Sequence, residues 1–295
     1  MVRVVRVLAP NPGLRELEGT NTWIVGGPPA IVIDPGPDEA GHLREVARTA
    51  GRVGAILLTH DHPDHAPGAE PLAAATGAPV YAFRPPAYGE RVRDGQVITS
   101  DDASLAVIAT PGHSPDSVAF HLVEDRALFT GDTVLGRGTS VIDPPEGDLV
   151  AYLRSLRRLR ELRPSTIYPG HGPTVLRASD KLDEYLEHRA EREEQVLAGL
   201  ADGPRSPEEL VPGIYADVPV ELHVLAARSV LAHLLKLESE GRVDRRTKDG
   251  ATRFSRLEPR SCARCGRPVR GRARLCGSCS LAVLQEPGEE PPPAG

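Results

Sequence analysis

The 295-residue sequence has only four cysteines, no apolar run long enough to cross a bilayer and no overall excess of positive charge. All four cysteines lie between Cys262 and Cys279, which predicts a local metal site and not a disulfide framework. The formal net charge of −6 predicts no general attraction to nucleic acid or to an acidic membrane. Valine alternates with Arg3 and Arg6 near the start, so we expect a first strand there and no signal peptide. By default this favours a cytoplasmic protein without membrane association.

Hydrophobic content of 40% and charged content of 26% are ordinary, and the length allows one large domain with one or two small ones. Residues 1–175 contain short β-rich segments and a few helical patterns, separated by Gly and Pro turns. Strands are expected at 2–8, 22–25, 31–34, 54–59, 80–83, 96–99, 105–109, 118–122, 127–129 and 166–168, and helices at 38–50, 69–76 and 148–161. Two strand-rich halves, each closed by a helix, predict an α/β fold with two sheets sandwiched between helices.

A dense group of histidines and aspartates follows the strand expected at 54–59. Residues 59–65 read Thr-His-Asp-His-Pro-Asp-His, which is the pattern H-x-H-x-D-H. His60 and His62 are two residues apart, so on extended chain they can point the same way, and Asp64 and His65 follow in the turn. Neutral imidazoles and a carboxylate suit zinc, and they can also hold other borderline metals. The pattern predicts a metal site at the end of a strand.

Three further strands each end in a turn that contains a potential ligand. These are His113 after Thr-Pro-Gly, Asp132 after Phe-Thr-Gly, and His171 after Tyr-Pro-Gly. One such turn would be weak evidence, but the recurrence supplies six ligands beside Asp132, which is enough for two cations. Asp132 is the natural bridge, because a carboxylate has two oxygens and partly offsets the charge of two close dications.

These residues together resemble the ligand set of the metallo-β-lactamase superfamily, over residues 1–175. The resemblance implies an αββα sandwich with the metals at one sheet edge. It also implies that His60, His62 and His113 hold a first zinc, that Asp64, His65 and His171 hold a second, and that Asp132 bridges the two. Asp34, at the end of an early strand, matches the superfamily's aspartate that orients the metal site.

Residues 129–140 and 188–195 are similar to the subgroup that contains the mitochondrial β-lactamase-like endoribonuclease of animals and polyketide thioesterases. The common dizinc β-lactamases carry cysteine at the bridging position, where this chain has Asp132. The resemblance implies hydrolysis by a hydroxide shared between two zinc ions, since two close cations can activate one water. Asp64 would orient that hydroxide or move its proton.

The remainder of the chain predicts accessory modules. A polar helix is expected at 179–200, a short helix with a Ser206 N-cap at 206–211, helical structure at 219–240, and a hairpin with a Lys-Asp-Gly turn at 242–254. Helices followed by a hairpin are typical of a winged helix, which could bind nucleic acid or only pack. Two C-x2-C pairs, Cys262 with Cys265 and Cys276 with Cys279, predict a structural zinc in a small ribbon.

The predicted organisation is therefore a catalytic domain at 1–178, a linking helix at 179–200, a winged-helix-like domain at 201–257, a zinc ribbon at 258–283 and a disordered tail at 284–295. Residues 241–275 contain twelve Lys or Arg against three carboxylates. This charge surplus favours a grip on single-stranded RNA, and hence an endoribonuclease, although Phe254 is the only aromatic side chain there. The alternatives are a hydrolase of small thioesters, like glyoxalase II or the polyketide thioesterases, and a non-catalytic nucleic-acid-binding regulator, which the intact ligand set disfavours.

Overall fold

A computed structural model of the protein describes residues 1–266 apart from 217 and 259, together with residues 268 and 269. The chain divides into two compact units, Met1–Glu191 and Arg192–Gly295. The domain boundaries expected from the sequence remain predictions. Among the described residues, no helix is long and apolar enough to cross a bilayer.

The first unit contains two sheets. Six strands form the first sheet in chain order: β1 (Val4–Leu8), β2 (Asn21–Val25), β3 (Ala30–Ile33), β4 (Val53–Leu57), β5 (Val80–Ala82) and β6 (Glu90–Arg91). Five strands form the second sheet, β7 (Val97–Thr99), β8 (Ser104–Ala109), β9 (Val118–Leu122), β10 (Ala127–Gly131) and β11 (Thr166–Pro169), in the order β11-β10-β9-β8-β7. The pairs β1–β2 and β2–β3 are antiparallel, whereas β3, β4, β5 and β6 are parallel neighbours.

Alternation along the strands separates two apolar cores. In β2, Trp23 and Val25 enter the core between the two sheets, and Ile24 enters the core on the other face of the first sheet. Successive side chains of a strand point to opposite faces, so a strand with apolar residues on both faces must be covered on both sides. Helices α1 (Ala40–Ala50) and α2 (Ala69–Thr76) supply residues such as Leu43 and Leu72 to that outer core.

Helix α3 (Leu149–Glu161) buries an apolar face that includes Tyr152, Leu156 and Leu159. Its Ser155 donates a hydrogen bond to the carbonyl of Pro111 (2.8 Å), in the turn that follows β8 of the second sheet. Helix α4 (Ala178–Gly199) follows β11. The expected sandwich of two sheets between helices is confirmed.

Several element boundaries differ from the sequence-based expectation. Strand β4 ends at Leu57 and not at Thr59, because the Thr59 amide donates to the Asp34 carboxylate (2.8 Å) instead of to a neighbouring strand. Helix α1 begins after Glu39, whose carboxylate accepts hydrogen bonds from the amides of Gly41 and His42. Strand β6 was not expected, since its two residues are exposed and polar and carry no apolar pattern.

The described part of the second unit contains the end of helix α4, two further helices and a hairpin. Helix α5 (Pro207–Ile214) begins at the expected N-cap, Ser206, which also forms a capping box with Glu209. A 3₁₀ turn (Val220–Leu222) leads into helix α6 (His223–Ser239), and strands β12 (Val243–Lys248) and β13 (Ala251–Arg256) form an antiparallel hairpin. Leu210, Val230, Leu234 and Phe254 are buried in its core. The winged-helix arrangement expected from the sequence is confirmed.

Candidate metal centre

The residues predicted to bind metal follow strands whose carboxyl ends meet. Strands β8 and β10 both run antiparallel to β9, and β11 runs parallel to β10, so the turns after these three strands emerge at one edge of the second sheet. The loop 59–65 follows β4 of the first sheet and is tied to this edge, because the amide of Val118 donates to the carbonyl of Thr59 (2.8 Å). All seven expected His and Asp residues of the two zinc sites come together there.

The first donor set is His60, His62 and His113. One ring nitrogen from each lies within 4.8 Å of the others. The Nδ1 atom of His62 is 3.2 Å from Nε2 of His113. His60 is buried, whereas His62 and His113 are partly exposed, so the set is open to solvent on one side.

The second donor set is Asp64, His65 and His171. The Oδ2 atom of Asp64 is 3.2 Å from Nε2 of His65 and 3.1 Å from Nε2 of His171. Asp132 lies between the two sets. Its Oδ1 atom is 3.3 Å from Nε2 of both His65 and His171, and its Oδ2 atom is 3.7 Å from Nε2 of His113. Asp132 therefore directs one oxygen to each set.

The other ring nitrogens of these histidines face acceptors on the surrounding framework. Nδ1 of His60 lies 3.0 Å from Thr59 Oγ1, and Nδ1 of His65 lies 2.9 Å from Asp34 Oδ2. Nδ1 of His113 lies 3.0 Å from the Val141 carbonyl, and Nδ1 of His171 lies 3.2 Å from the Gly19 carbonyl. An acceptor at one nitrogen holds the proton there and leaves the lone pair of the other for a cation. Asp34 also accepts from the hydroxyl of Thr59 (2.7 Å), so its carboxylate ties the first loop to His65.

The donor chemistry fits a pair of divalent cations. Two buried atoms that point into the cluster, His60 Nε2 and Asp132 Oδ1, have no geometrically good hydrogen-bond partner among the described residues. Buried polar atoms are normally satisfied, so such atoms indicate a missing partner, and imidazole with carboxylate is a donor set typical of zinc. The seven residues could hold two cations, with three donors on each side and Asp132 shared.

The two sets differ in their proton affinity. Burial lowers the pKa of His60 and of His113, so both rings are neutral near pH 7. Burial also acts to lower the pKa of His65 and His171, but the carboxylates of Asp132 and its neighbours outweigh it. The pKa of His65 is raised well above its usual value, and that of His171 is raised to about 9. Without metal, His65 and His171 therefore bind protons that His60 and His113 do not.

The cluster depends on close backbone approach at Gly170. A Cβ atom there would lie 2.6 Å from Asp132 Oδ1 and 2.8 Å from His65 Cε1. We predict that Gly170→Ala lowers cation affinity and hydrolytic turnover by about 10–100-fold, the range typical of disturbing the surroundings of a metal ligand. Calorimetric metal titration and a steady-state assay would measure both. Gly27→Ala is the matched control, because its added Cβ meets nothing closer than 3.8 Å. Equal metal affinity in the two variants would contradict the prediction.

Sequence reasoning missed several residues that surround the donors. Thr59 is buried and hydrogen-bonds to Asp34, and Asn21 is buried and hydrogen-bonds to the loop of His171. A carboxylate oxygen of Glu146 lies 3.8 Å from Nε2 of His62. No local pattern marks these residues, because their partners are distant in the chain.

Cys262 is buried and Cys265 exposed, whereas Cys276, Cys279 and the expected tail at 284–295 lie outside the described residues. The four-cysteine zinc ribbon stays a prediction.

A buried His/Asp cluster at the edge of a two-sheet sandwich is typical of metal-dependent hydrolases. Residues 15–92 and 81–171 match the sequence profile of the "Metallo-beta-lactamase superfamily", and residues 206–252 match that of the "Beta-lactamase associated winged helix domain". The chain belongs to the metallo-beta-lactamase superfamily, whose members are generally hydrolases, and it is an enzyme of that class.

Two relatives and one solved structure show the extent of the similarity. "Beta-lactamase-like protein 2 homolog" of Caenorhabditis elegans is 36% identical over 257 residues, which are 82% of this chain and 86% of that protein. "Atrochrysone carboxyl ACP thioesterase" of Aspergillus fumigatus is 36% identical over 242 residues, covering 75% of this chain and 76% of the relative. The crystal structure of a metallo-beta-lactamase family protein from Thermus thermophilus aligns with a TM-score of 0.74 at 25% identity, over 86% of this chain and 98% of the other.

Proposed function

We propose that the protein is a hydrolase that uses two divalent cations, zinc in the first place, to cleave small acyl thioesters. The observation that carries the hydrolytic part is the position of Asp132 between two three-residue donor sets. When bound, a pair of cations supplies Lewis-acid polarisation of the scissile carbonyl and activation of water near neutral pH. The two donor sets support two cations, and imidazole with carboxylate supports zinc.

The protein's own groups have distinct roles in this proposal. Asp132 holds the cations together and partly offsets their mutual repulsion. Asp64 is partly exposed, so it can reach the reacting water. Burial acts to raise its pKa, but the charge of His65 and a hydrogen bond with His171 outweigh this and lower it, so Asp64 is ionised at neutral pH. We assign to Asp64 the orientation of the attacking water and the transfer of its proton.

Two observations support the thioester as substrate. A relative that is 36% identical carries thioesterase in its name. The positive charges of the C-terminal hairpin also have carboxylate neighbours. Arg245 is 3.2 Å from Glu238, Arg246 is 3.0 Å from Asp244, and Arg253 is 2.7 Å from Glu209. Exposed ion pairs contribute little to stability, but they cancel much of the field that would attract a phosphate backbone. The protein's net charge of −6 would repel an acidic carrier protein, so we favour a substrate whose acyl group is carried on a small thiol.

Cleavage of single-stranded RNA remains the second candidate. The observation that favours it is the row of basic side chains on the hairpin, all of which are exposed, Arg246 and Lys248 among them. In this alternative the hairpin, together with the proposed zinc ribbon, would hold the backbone phosphates. The winged-helix unit would then bind substrate and not serve only as a packing domain.

A substrate panel distinguishes the two candidates. Zinc-loaded full-length protein should release thiol from an acyl-N-acetylcysteamine thioester, detected with a chromogenic thiol reagent, and a chelator should abolish the reaction until zinc is restored. The same preparation is tested on end-labelled single-stranded RNA. Arg246→Glu and Lys248→Glu should leave thiol release unchanged. Zinc-dependent RNA cleavage that these substitutions reduce, without any thiol release, would overturn the thioester proposal in favour of RNA.

A further inference from the structure

The turn that carries His171 is bound to a segment far from it in the sequence. Thr20 pairs with His171 in an isolated β-bridge, and the amide of Asn21 donates to the carbonyl of Gly170 (2.7 Å). The carbonyl of Gly19 lies 3.2 Å from Nδ1 of His171. Three consecutive residues before and at the start of β2 therefore line one side of this ligand turn.

Asn21 contributes more than its backbone. Its side chain is fully buried, and its Nδ2 atom donates to the carbonyl of Pro169 (3.0 Å) and to the carbonyl of Gly172 (2.8 Å). These two carbonyls lie on either side of His171. Because both partners are acceptors, the amide nitrogen and not the oxygen must face them. The two N–H groups of one side chain thus span the turn and fix the distance between its ends.

The neighbouring residue acts on the other ligand of the same set. Thr20 is fully buried, and its hydroxyl lies 3.4 Å from Asp64 Oδ2. Asn11 accepts a hydrogen bond from the Thr20 amide through Oδ1 (2.9 Å) and donates to the Thr20 hydroxyl through Nδ2 (2.9 Å). The hydroxyl proton of Thr20 is therefore directed towards Asp64. Residues Gly19–Asn21 touch Asp64 and His171, which both belong to the second set.

The first set is held by different segments. His60 is supported by Thr59, and His113 by the carbonyl of Val141 and the hydroxyl of Ser140 (3.2 Å). A change at Asn21 should therefore affect the two sets unequally. General destabilisation of the sandwich would affect them together.

We propose that Asn21 is a positioning residue for the second cation site, acting by spanning the His171 turn. The inference rests on the proposed metal centre and deepens it. Loss of the two N–H donors lets the turn relax, so that His171 no longer meets Asp64 and His65 at ligand distance. The second cation is then bound at least about 10-fold more weakly, as is usual when a group that orients a metal ligand is removed, and the first is bound as before.

The test is a Co²⁺ titration of metal-free full-length protein, followed by visible absorption and calorimetry. Cobalt held by histidine and carboxylate lacks the near-ultraviolet thiolate charge-transfer band, so binding to the cysteines is counted separately. Wild type should bind two such ions.

Asn21→Leu, similar in size and without donors, should bind one as tightly as wild type and the second at least about 10-fold more weakly. Asn21→Asp, which keeps the shape and loses the N–H groups, is the second variant should the leucine protein not fold. Ile24→Val, on the other face of β2, is the matched control and should bind as wild type.

The outcomes are distinct. Selective weakening of one ion in a variant with a native circular dichroism spectrum supports the inference. Wild-type affinity at both sites in Asn21→Asp or Asn21→Leu overturns it, and so does equal weakening of both sites. If wild type itself binds fewer than two non-thiolate ions, the proposed metal centre fails, whatever the variants do.

Discussion

Replacing Asp132 by alanine should lower kcat/KM of the zinc-loaded enzyme by at least about 100-fold, because even partners that only orient a metal ligand typically contribute 10–100-fold. Asp132 places one oxygen 3.3 Å from Nε2 of both His65 and His171, and the other 3.7 Å from Nε2 of His113. Without this carboxylate, each set keeps three donors but loses its shared ligand and the charge that offsets the cations' repulsion. The fold should persist, since Asp132 is partly exposed and its partners are the ligands themselves.

The assay should be combined with metal analysis and a thermal melt. Asp61→Ala is the matched control, because Asp61 belongs to the same H-x-H-x-D-H loop but is exposed and lies in neither donor set. It should retain wild-type turnover and metal content. Turnover near the wild-type rate in Asp132→Ala would rule out a binuclear centre bridged by this residue.

The second set should bind metal with a steep dependence on pH. His65 and His171 carry protons in the metal-free protein near pH 7, because the surrounding carboxylates raise the pKa of both, that of His171 to about 9. A cation must displace these protons. Below pH 9 the affinity therefore rises with pH, by about tenfold per pH unit for each proton displaced, and the rise lessens as His171 becomes neutral. The carboxylates of Asp64 and Asp132 add nothing, since their pKa values are lowered and they are already ionised.

Zinc calorimetry in buffers of different ionisation enthalpy measures the protons released. His113→Ala disables the first set and leaves the second, whereas His171→Ala does the reverse. The variant that retains the second set should release more protons at pH 7 than the variant that retains the first, whose rings at His60 and His113 are neutral because burial lowers their pKa. Equal release by the two variants would contradict the assignment of the protons to His65 and His171.

The identity and order of the donor residues could be predicted from the sequence because strand alternation and residue chemistry are local. An apolar strand followed by His-x-His-x-Asp-His, and three more strands followed by a turn with His113, Asp132 or His171, predict a ligand cluster at strand ends. The Ser206 N-cap and the hairpin turn at Asp249-Gly250 are equally local. Each depends on neighbours in the chain, so composition and spacing suffice to find it.

The tertiary structure alone decided which atoms complete the site. Asn21 meets Pro169 and Gly172 across 148 and 151 residues of chain. The family resemblance indicated a role for Asp34, but its contact with His65 follows from the parallel pairing of β3 and β4. The charge of the hairpin was likewise decided by packing, which places Glu238 and Glu209 beside its arginines. Hydrogen bonds and ion pairs between distant segments depend on the relative placement of sheets and helices. That placement follows from the burial of apolar surface along the whole chain and leaves no local pattern at the residues concerned.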